Sequence, residues 1–121
     1  MNHMEPKDIA LIAAKTLDEK KALDIMLLDV GLMTVLTDYM IICSGRAATQ
    51  VKALTDAVEE KLSALGVEPR RKDGTSEGRW SVLDYGTVMI HVFHEQERAY
   101  YQLERLWADG TNTVPFEKIE E

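Results

Sequence analysis

The chain has 121 residues, of which 45% are hydrophobic and 29% are charged, and its formal net charge is −7. This length predicts one domain with a core of its own, and no apolar run reaches the roughly 18 residues that span a membrane. The negative charge disfavours direct binding to nucleic acid, which needs a basic face, but suits docking onto a basic protein.

The N-terminus and the cysteine content indicate a cytoplasmic protein. The first six residues have neither the basic nor the apolar region of a signal peptide. The single cysteine, Cys43, lies in an apolar run and has no second cysteine in the chain to pair with, which suits a reducing compartment. We therefore expect the cytoplasm.

The first half of the chain predicts the order helix, strand, strand, helix. Apolar residues recur at helical spacing over residues 7–20. Two short apolar runs, residues 24–30 and 38–43, predict buried strands. The longest helix is predicted over residues 48–65, and Gly66 ends it.

The second half predicts a short strand, a hairpin and a helix. Residues 69–72 combine proline with three charges, a composition that protects a sheet edge. Residues 79–93 form two apolar runs around an Asp-Tyr-Gly turn, which predicts a β-hairpin. A helix follows over residues 95–109, and we expect residues 110–121 to form a flexible acidic tail.

This element order predicts a single-domain α/β sandwich with a mixed sheet of about five strands and three main helices. The domain core covers about residues 7–109 of the 121. We find no repeat, no linker and no second domain in the pattern.

The turn at Ser44, Gly45 and Arg46 stands where a strand passes into a helix, a place where a phosphate can bind. The signal is weak, because neither the Walker lysine nor the dinucleotide fingerprint is present. We favour a tight strand-to-helix connection at this turn.

A metal or catalytic site is disfavoured by the spacing of the candidate residues. His91 and His94 are three apart, and on a strand residues so spaced point to opposite faces. We predict that His91 is half-buried and hydrogen-bonded within the sheet. Asp38 and Asp84 flank apolar runs and suit turn capping better than Mg²⁺ binding. We therefore expect no metal, no cofactor and no enzymatic activity.

The last predicted helix carries an unusual number of aromatic residues. We expect an apolar stripe that packs on the sheet and contains Ala99, Tyr100, Leu103, Leu106 and Trp107. The more outward residues are expected to be Arg98, Tyr101, Gln102, Glu104 and Arg105. Aromatics mixed with arginine and glutamate are typical of the residues that dominate binding energy at protein interfaces.

Several stretches together resemble the ribosomal silencing factor family, also called RsfS or Iojap. They are residues 24–30 (DIMLLDV), 37–45 (TDYMIICSG), 80–86 (WSVLDYG), 90–93 (IHVF) and the pattern Arg98-x-Tyr100-Tyr101-x-Leu103-Glu104-x-Leu106-Trp107. The chain departs from the usual pattern at Asp73, where glutamate is frequent, and at Thr87, where an acid is common.

The resemblance implies a fold similar to nucleotidyltransferases but without their acidic metal site. It also implies binding to the large ribosomal subunit through ribosomal protein L-fourteen, which blocks joining of the small subunit and represses translation when nutrients are short. On this basis we expect a partner-binding face, with acidic members meeting lysines and arginines of the partner. Its residues, in the face or directly beneath it, are Trp80, Asp84, His91, Tyr100, Tyr101, Leu103, Glu104 and Trp107.

Two other functions stay open on the sequence. One is a nucleotidyltransferase-like enzyme that binds nucleotide or phosphate through Ser44, Gly45 and Asp84. The other is a self-associating module that forms a homodimer.

Overall fold

The computed structural model describes residues 4–74 and 77–116, which contain four helices and five strands. The helices α1 to α4 are Pro6–Glu19, Ala48–Ala64, Glu95–Tyr101 and Glu104–Trp107. The strands β1 to β5 are Leu23–Asp29, Tyr39–Gly45, Arg71–Gly74, Trp80–Asp84 and Val88–His94. The predicted α/β class is confirmed. No helix in the described ranges is long and apolar enough to cross a bilayer.

The five strands form one mixed sheet in the order β1-β2-β5-β4-β3. The central pair, β2 and β5, is parallel, and every other pair is antiparallel. Parallel strands are usually buried on both sides, which explains why these two strands read as continuous apolar runs. The predicted edge strand is β3, whose four residues are all exposed and which begins two residues later than the sequence indicated.

The first face of the sheet is covered by α1 and α2. Side chains from alternate strand positions, including Ile41, Cys43 and Ile90, meet the buried stripes of both helices. Ala10, Ala13 and Ala14 are fully buried in α1, so this helix lies close to its neighbours. The thiol of Cys43 is fully buried in this layer, and burial raises its pKa to about 12.

The second face is covered over only part of its width. Leu28, Met40, Ile42 and Phe93 form a buried cluster beneath Leu103 and Trp107 from the last two helices. Toward β4 and β3 the face carries side chains that are partly or fully exposed. We call this part the open face; it comprises Arg71, Asp73, Trp80, Val82, Asp84, Met89 and the buried His91.

The expectation of one continuous final helix is wrong. Gln102 adopts a left-handed conformation, with φ 50° and ψ 48°, and separates α3 from α4. This conformation costs a non-glycine residue about 1–2 kcal/mol, but it turns the chain so that Leu103 and Trp107 pack on the second face. The predicted apolar stripe is correct only in part, because Leu103 and Trp107 pack on the sheet whereas Ala99, Tyr100 and Leu106 are exposed.

Part of the expected flexible tail contacts the rest of the fold, because residues 112–114 lie against β1. Thr113 forms a β-bridge with Leu28, and the amide of Val114 donates to the carbonyl of Leu27 at 2.8 Å. Val114 and Phe116 pack against the first-face core. Residues 117–121 of the predicted tail lie outside the described residues.

The side chain of Asn112 links residues 109–114 to the rest of the fold through hydrogen bonds. Its side-chain amide donates to the carbonyl oxygens of Asp29 at 3.0 Å and Trp107 at 2.8 Å. Its side-chain oxygen accepts from the amide of Asp109 at 3.0 Å. One side chain therefore joins the end of β1, the end of α4 and the turn that follows.

Replacing Asn112 with alanine is expected to lower the free energy of unfolding by about 1–3 kcal/mol, because its hydrogen bonds to Asp29, Trp107 and Asp109 are lost. The measurement is chemical denaturation. Thr113→Ala is the matched control, because this neighbouring side chain is exposed, and its change should stay within about 0.5 kcal/mol. Equal losses in the two variants would contradict the role given to Asn112.

Candidate functional site

Aromatic rings from two strands and one helix meet at the border of the open face. The ring of Trp80 lies 4.6 Å from that of Phe93 and 5.0 Å from that of Tyr101, between centroids. Tyr100 meets Tyr101 edge-on at 5.0 Å. The strand register explains part of this cluster, because Trp80 pairs directly with Phe93 across β4 and β5. The remaining rings come from α3, which begins where β5 ends.

His91 lies beneath this cluster and is held by Trp80. The indole N–H of Trp80 donates to Nδ1 of His91 at 3.1 Å. A neutral imidazole that accepts at Nδ1 carries its proton on Nε2. Nε2 is buried without a hydrogen-bond partner among the described residues. Burial lowers the pKa of His91 to about 4, so the ring is neutral at pH 7. The predicted hydrogen bond within the sheet is confirmed, but the prediction of a half-buried ring is wrong because His91 is buried.

His94 has a different role at the end of the same strand. Its Nδ1 accepts the amide of Gln96 at 3.2 Å and so caps the N-terminus of α3. Over residues 4–74 and 77–116, no group of three or more His, Cys, Asp and Glu side chains is placed to hold a metal ion.

Arg98 was expected to face outward, but it is buried beside the aromatic cluster. Its Nη1 donates to the carbonyl oxygens of Leu23 and Asp24, at 3.3 and 2.7 Å. The same atom reaches Oγ of Ser44 at 3.2 Å. These partners lie 54 to 75 residues away along the chain, so no local spacing could have revealed them.

Glu104 pairs with this buried guanidinium. Its Oε1 lies 3.5 Å from Nε of Arg98, close enough for an ion pair. The same oxygen is buried and makes no hydrogen bond with any described residue, so the contact is electrostatic. The expectation that Glu104 faces outward is therefore wrong. It holds α4 against the arginine that anchors α3.

Asp84 lies apart from the aromatic cluster. Its Oδ1 accepts the amide of Gly86 at 2.8 Å, which confirms the predicted turn-capping role. It lies four positions after Trp80, about 13 Å away along β4. Asp38, the other predicted turn acceptor, is exposed.

The eight predicted face residues thus have four different roles in the structure. Trp80, His91, Tyr100 and Tyr101 form the aromatic cluster, in which Tyr100 is 79% and Tyr101 50% exposed. Leu103 and Trp107 pack into the second-face core. Asp84 caps the hairpin turn, and Glu104 supports Arg98.

The residues of the alternative enzyme site do not converge. Ser44 pairs with Phe93 near one end of the sheet, whereas Asp84 pairs with Met89 at the other end. Oγ of Ser44 contacts Arg98 and the carbonyl of Leu23. The amide of Arg46 donates to Oε1 of Gln50 at 2.7 Å, which makes the tight connection into α2 that we favoured.

Comparisons with known proteins agree with this architecture. Residues 3–121 match the family described as ribosomal silencing factor during starvation. The chain is 40% identical over 107 residues to ribosomal silencing factor RsfS of Bacillus subtilis, across 88% of this chain and 91% of that protein. It is 32% identical over 112 residues to the chloroplastic protein Iojap of Zea mays, across 89% of this chain and 47% of that protein.

A crystal structure of a protein from Chromobacterium violaceum has the same fold. It superposes with a TM-score of 0.83 at 35% identity, and covers 93% of this chain and 95% of that chain. The architecture is thus shared along nearly the whole chain. The protein described here belongs to the ribosomal silencing factor family.

Replacing Arg98 with methionine is expected to lower the free energy of unfolding by about 3 kcal/mol, because Glu104 and two main-chain carbonyls lose a buried charged partner. Denaturant unfolding measures the change. Arg105→Met removes an exposed guanidinium from α4 and should change stability by less than about 0.5 kcal/mol. A loss as small in Arg98→Met would show that the buried contacts contribute little.

His91 is expected to make stability fall as the pH is lowered. Between about pH 6.5 and pH 5 the unfolded chain protonates this histidine, whereas the folded chain, with its pKa about 4, does not. The unfolded state then binds more protons, so the unfolding free energy drops by about 2 kcal/mol over this range.

The test compares unfolding curves of the wild type with those of His91→Asn. Asparagine keeps an acceptor near the position of Nδ1 for Trp80 but does not titrate. The difference between the two proteins should change with pH across this range. A constant difference would contradict the assignment.

Proposed function

We propose that this protein binds the large ribosomal subunit through ribosomal protein L-fourteen and prevents the small subunit from joining. Translation is thereby repressed. The mechanism is steric and requires no chemistry from the silencing factor. Membership of the ribosomal silencing factor family supports the ribosome as the target. A cytoplasmic location is part of the proposal.

The observation that carries the proposal is the open face with its aromatic border. Trp80 is fixed by the hydrogen bond to His91 and by stacking on Phe93. Tyr101, half exposed, lies against it. Rigid, partly exposed aromatic side chains lose little conformational freedom on binding, and such residues dominate the affinity of many interfaces.

The charges of the open face suit a basic protein. Asp73 and Asp84 lie on this face, and the whole chain carries a net charge of −7. Arg71 stands opposite Asp84 in the register and moderates the field locally. Opposite charge on a lysine- and arginine-rich partner would speed association, whereas RNA phosphates would be repelled. We therefore propose contact with ribosomal protein and little direct contact with RNA.

The size of the surface is sufficient. A standard interface buries about 800 Å² on each partner, and the described chain has 7344 Å² of accessible surface. About a tenth of the surface then serves for binding, and the rest of the domain projects into space that the small subunit needs. Steric exclusion of the small subunit requires only the volume of the domain.

We assign the predicted residues to two layers of the face. Tyr100, Tyr101, Asp84 and the exposed edge of Trp80 make contact with the partner. His91, Leu103, Glu104 and Trp107 support them from beneath. A homodimer stays a prediction, and the exposed side chains of Tyr100 and Tyr101 are available to either kind of partner.

Replacing Tyr101 with alanine is expected to weaken binding to large subunits and to isolated L-fourteen by about 30-fold, the effect of losing an aromatic anchor worth about 2 kcal/mol. Thermal stability should change little because half of this side chain is exposed. Co-sedimentation with large subunits and titration of L-fourteen give the two affinities.

The matched control is Thr49→Ala. Thr49 is exposed on α2, the helix that covers the first face of the sheet. This variant should bind as the wild type does. If Tyr101→Ala binds with wild-type affinity, the open face is not the surface that contacts the ribosome. Wild-type protein that binds large subunits but not L-fourteen would disprove the choice of partner.

A further inference from the structure

The connection between β1 and β2 exposes four large apolar side chains within five residues. We call residues 31–37 the apolar loop. Leu32 and Val35 are fully exposed, Leu36 is 76% exposed and Met33 is 44% exposed. Exposed apolar side chains are ordinary when scattered, but a contiguous group is a feature of interaction surfaces.

The apolar loop is held in place by its backbone. The amides of Met33 and Thr34 donate to the carbonyl of Val30 at 2.9 and 3.1 Å. The amide of Leu36 donates to Oγ1 of Thr34 at 3.1 Å, and the side-chain amide of Asn112 meets the sulfur of Met33 at 3.6 Å. A loop fixed in this way loses little entropy when it binds. Its side chains are presented to solvent by a defined turn.

Carboxylates border the base of the apolar loop. A side chain at Gly31 would meet an oxygen of Asp29 at 3.5 Å and one of Asp38 at 3.6 Å. Burial, followed by the charges of Asp29 and Asp38, raises the pKa of Tyr39. Glu5 and Lys7 line the same recess with opposite charges, so the negative sign prevails there.

The apolar loop also adjoins the open face. The amides of Asp38 and Tyr39 both donate to the carbonyl of Thr87, at 3.0 Å each. Thr87 belongs to the hairpin turn that Asp84 caps. A partner that contacts Asp84 therefore reaches the base of the apolar loop at the same end of the sheet.

We propose that the apolar loop is a second contact for the protein that covers the open face, and that it inserts Leu32, Val35 and Leu36 into an apolar pocket rimmed by lysine or arginine. This inference rests on the proposed function. The negative charge at the base of the apolar loop argues against three other binding partners. A second copy would bring the same carboxylates together, and a lipid surface or RNA would present phosphates of the same sign.

The test is the double variant Leu32→Ser with Val35→Ser, titrated against isolated L-fourteen and against large subunits. We expect binding to both to weaken at least about tenfold, because two apolar side chains no longer bury surface in the complex. The thermal unfolding midpoint should match that of the wild type, since both side chains are fully exposed in the free protein. The matched control, Leu32→Met with Val35→Ile, keeps the apolar character and should keep the affinity.

A second arm tests the charges. Asp38→Asn should weaken binding at low salt more than at high salt, because screening already reduces the attraction at high salt. A loss that does not depend on salt would overturn the basic rim of the proposed pocket.

The other outcomes separate the two proposals. If the serine variant binds L-fourteen like the wild type, the apolar loop is not a contact and the proposed function stands. If the variant only converts a wild-type dimer into a monomer, the apolar loop is a dimer contact and not a contact for L-fourteen. If it weakens binding to large subunits but not to L-fourteen, the loop contacts another part of the subunit. If the wild type binds neither target, both proposals fall.

Discussion

The buried guanidinium of Arg98 is the interaction on which the arrangement of the second sheet face depends. It joins the irregular start of β1, the end of β2 and, through Glu104, the short helix α4. Asp24, whose carbonyl accepts the shortest of these bonds, has a positive φ of 48°, and the pairing of β1 with β2 shifts register beside it. A charged side chain so deeply buried is stable only when its donors are occupied. The contacts therefore fix where α3 lies and how far the last helices extend over the sheet.

The position of these helices creates the open face. They cover β1, β2 and part of β5, and Tyr101 marks their limit against Trp80. Beyond this limit the sheet exposes alternate residues of β4 and β3, which leaves a surface of mixed aromatic, aliphatic and acidic character. Partial coverage of a sheet costs hydrophobic stabilisation, which a binding partner can restore. The proposed binding surface thus results from how far α3 and α4 extend over the second face of the sheet.

Much of the architecture could be predicted because it follows from local patterns. The amphipathic spacing in α1 and α2 and the apolar runs of β2 and β5 placed these elements within one or two residues. The hairpin followed from its Asp-Tyr-Gly turn. These signals depend on residues that are close in sequence, so they are readable without the fold.

What could not be predicted depends on distant contacts. No glycine or proline marks the break in the helix at Gln102, so the sequence does not predict it. The break is favourable because it buries Leu103 and Trp107. Residues 110–116 are polar enough to resemble a tail, yet residues 112–114 bond to a strand more than 80 residues earlier. Within the candidate site, the resemblance to a family supplied the aromatic residues, whereas the inward direction of Arg98 and Glu104 required coordinates.

The buried thiol of Cys43 can report transient opening of the first-face core. Only the thiolate reacts readily with alkylating reagents, and burial in the first-face core both shields this sulfur and keeps it protonated. Modification then requires the layer between the sheet and α1 and α2 to separate. The rate at which this thiol is labelled therefore measures how often the core is transiently exposed, with no engineered probe.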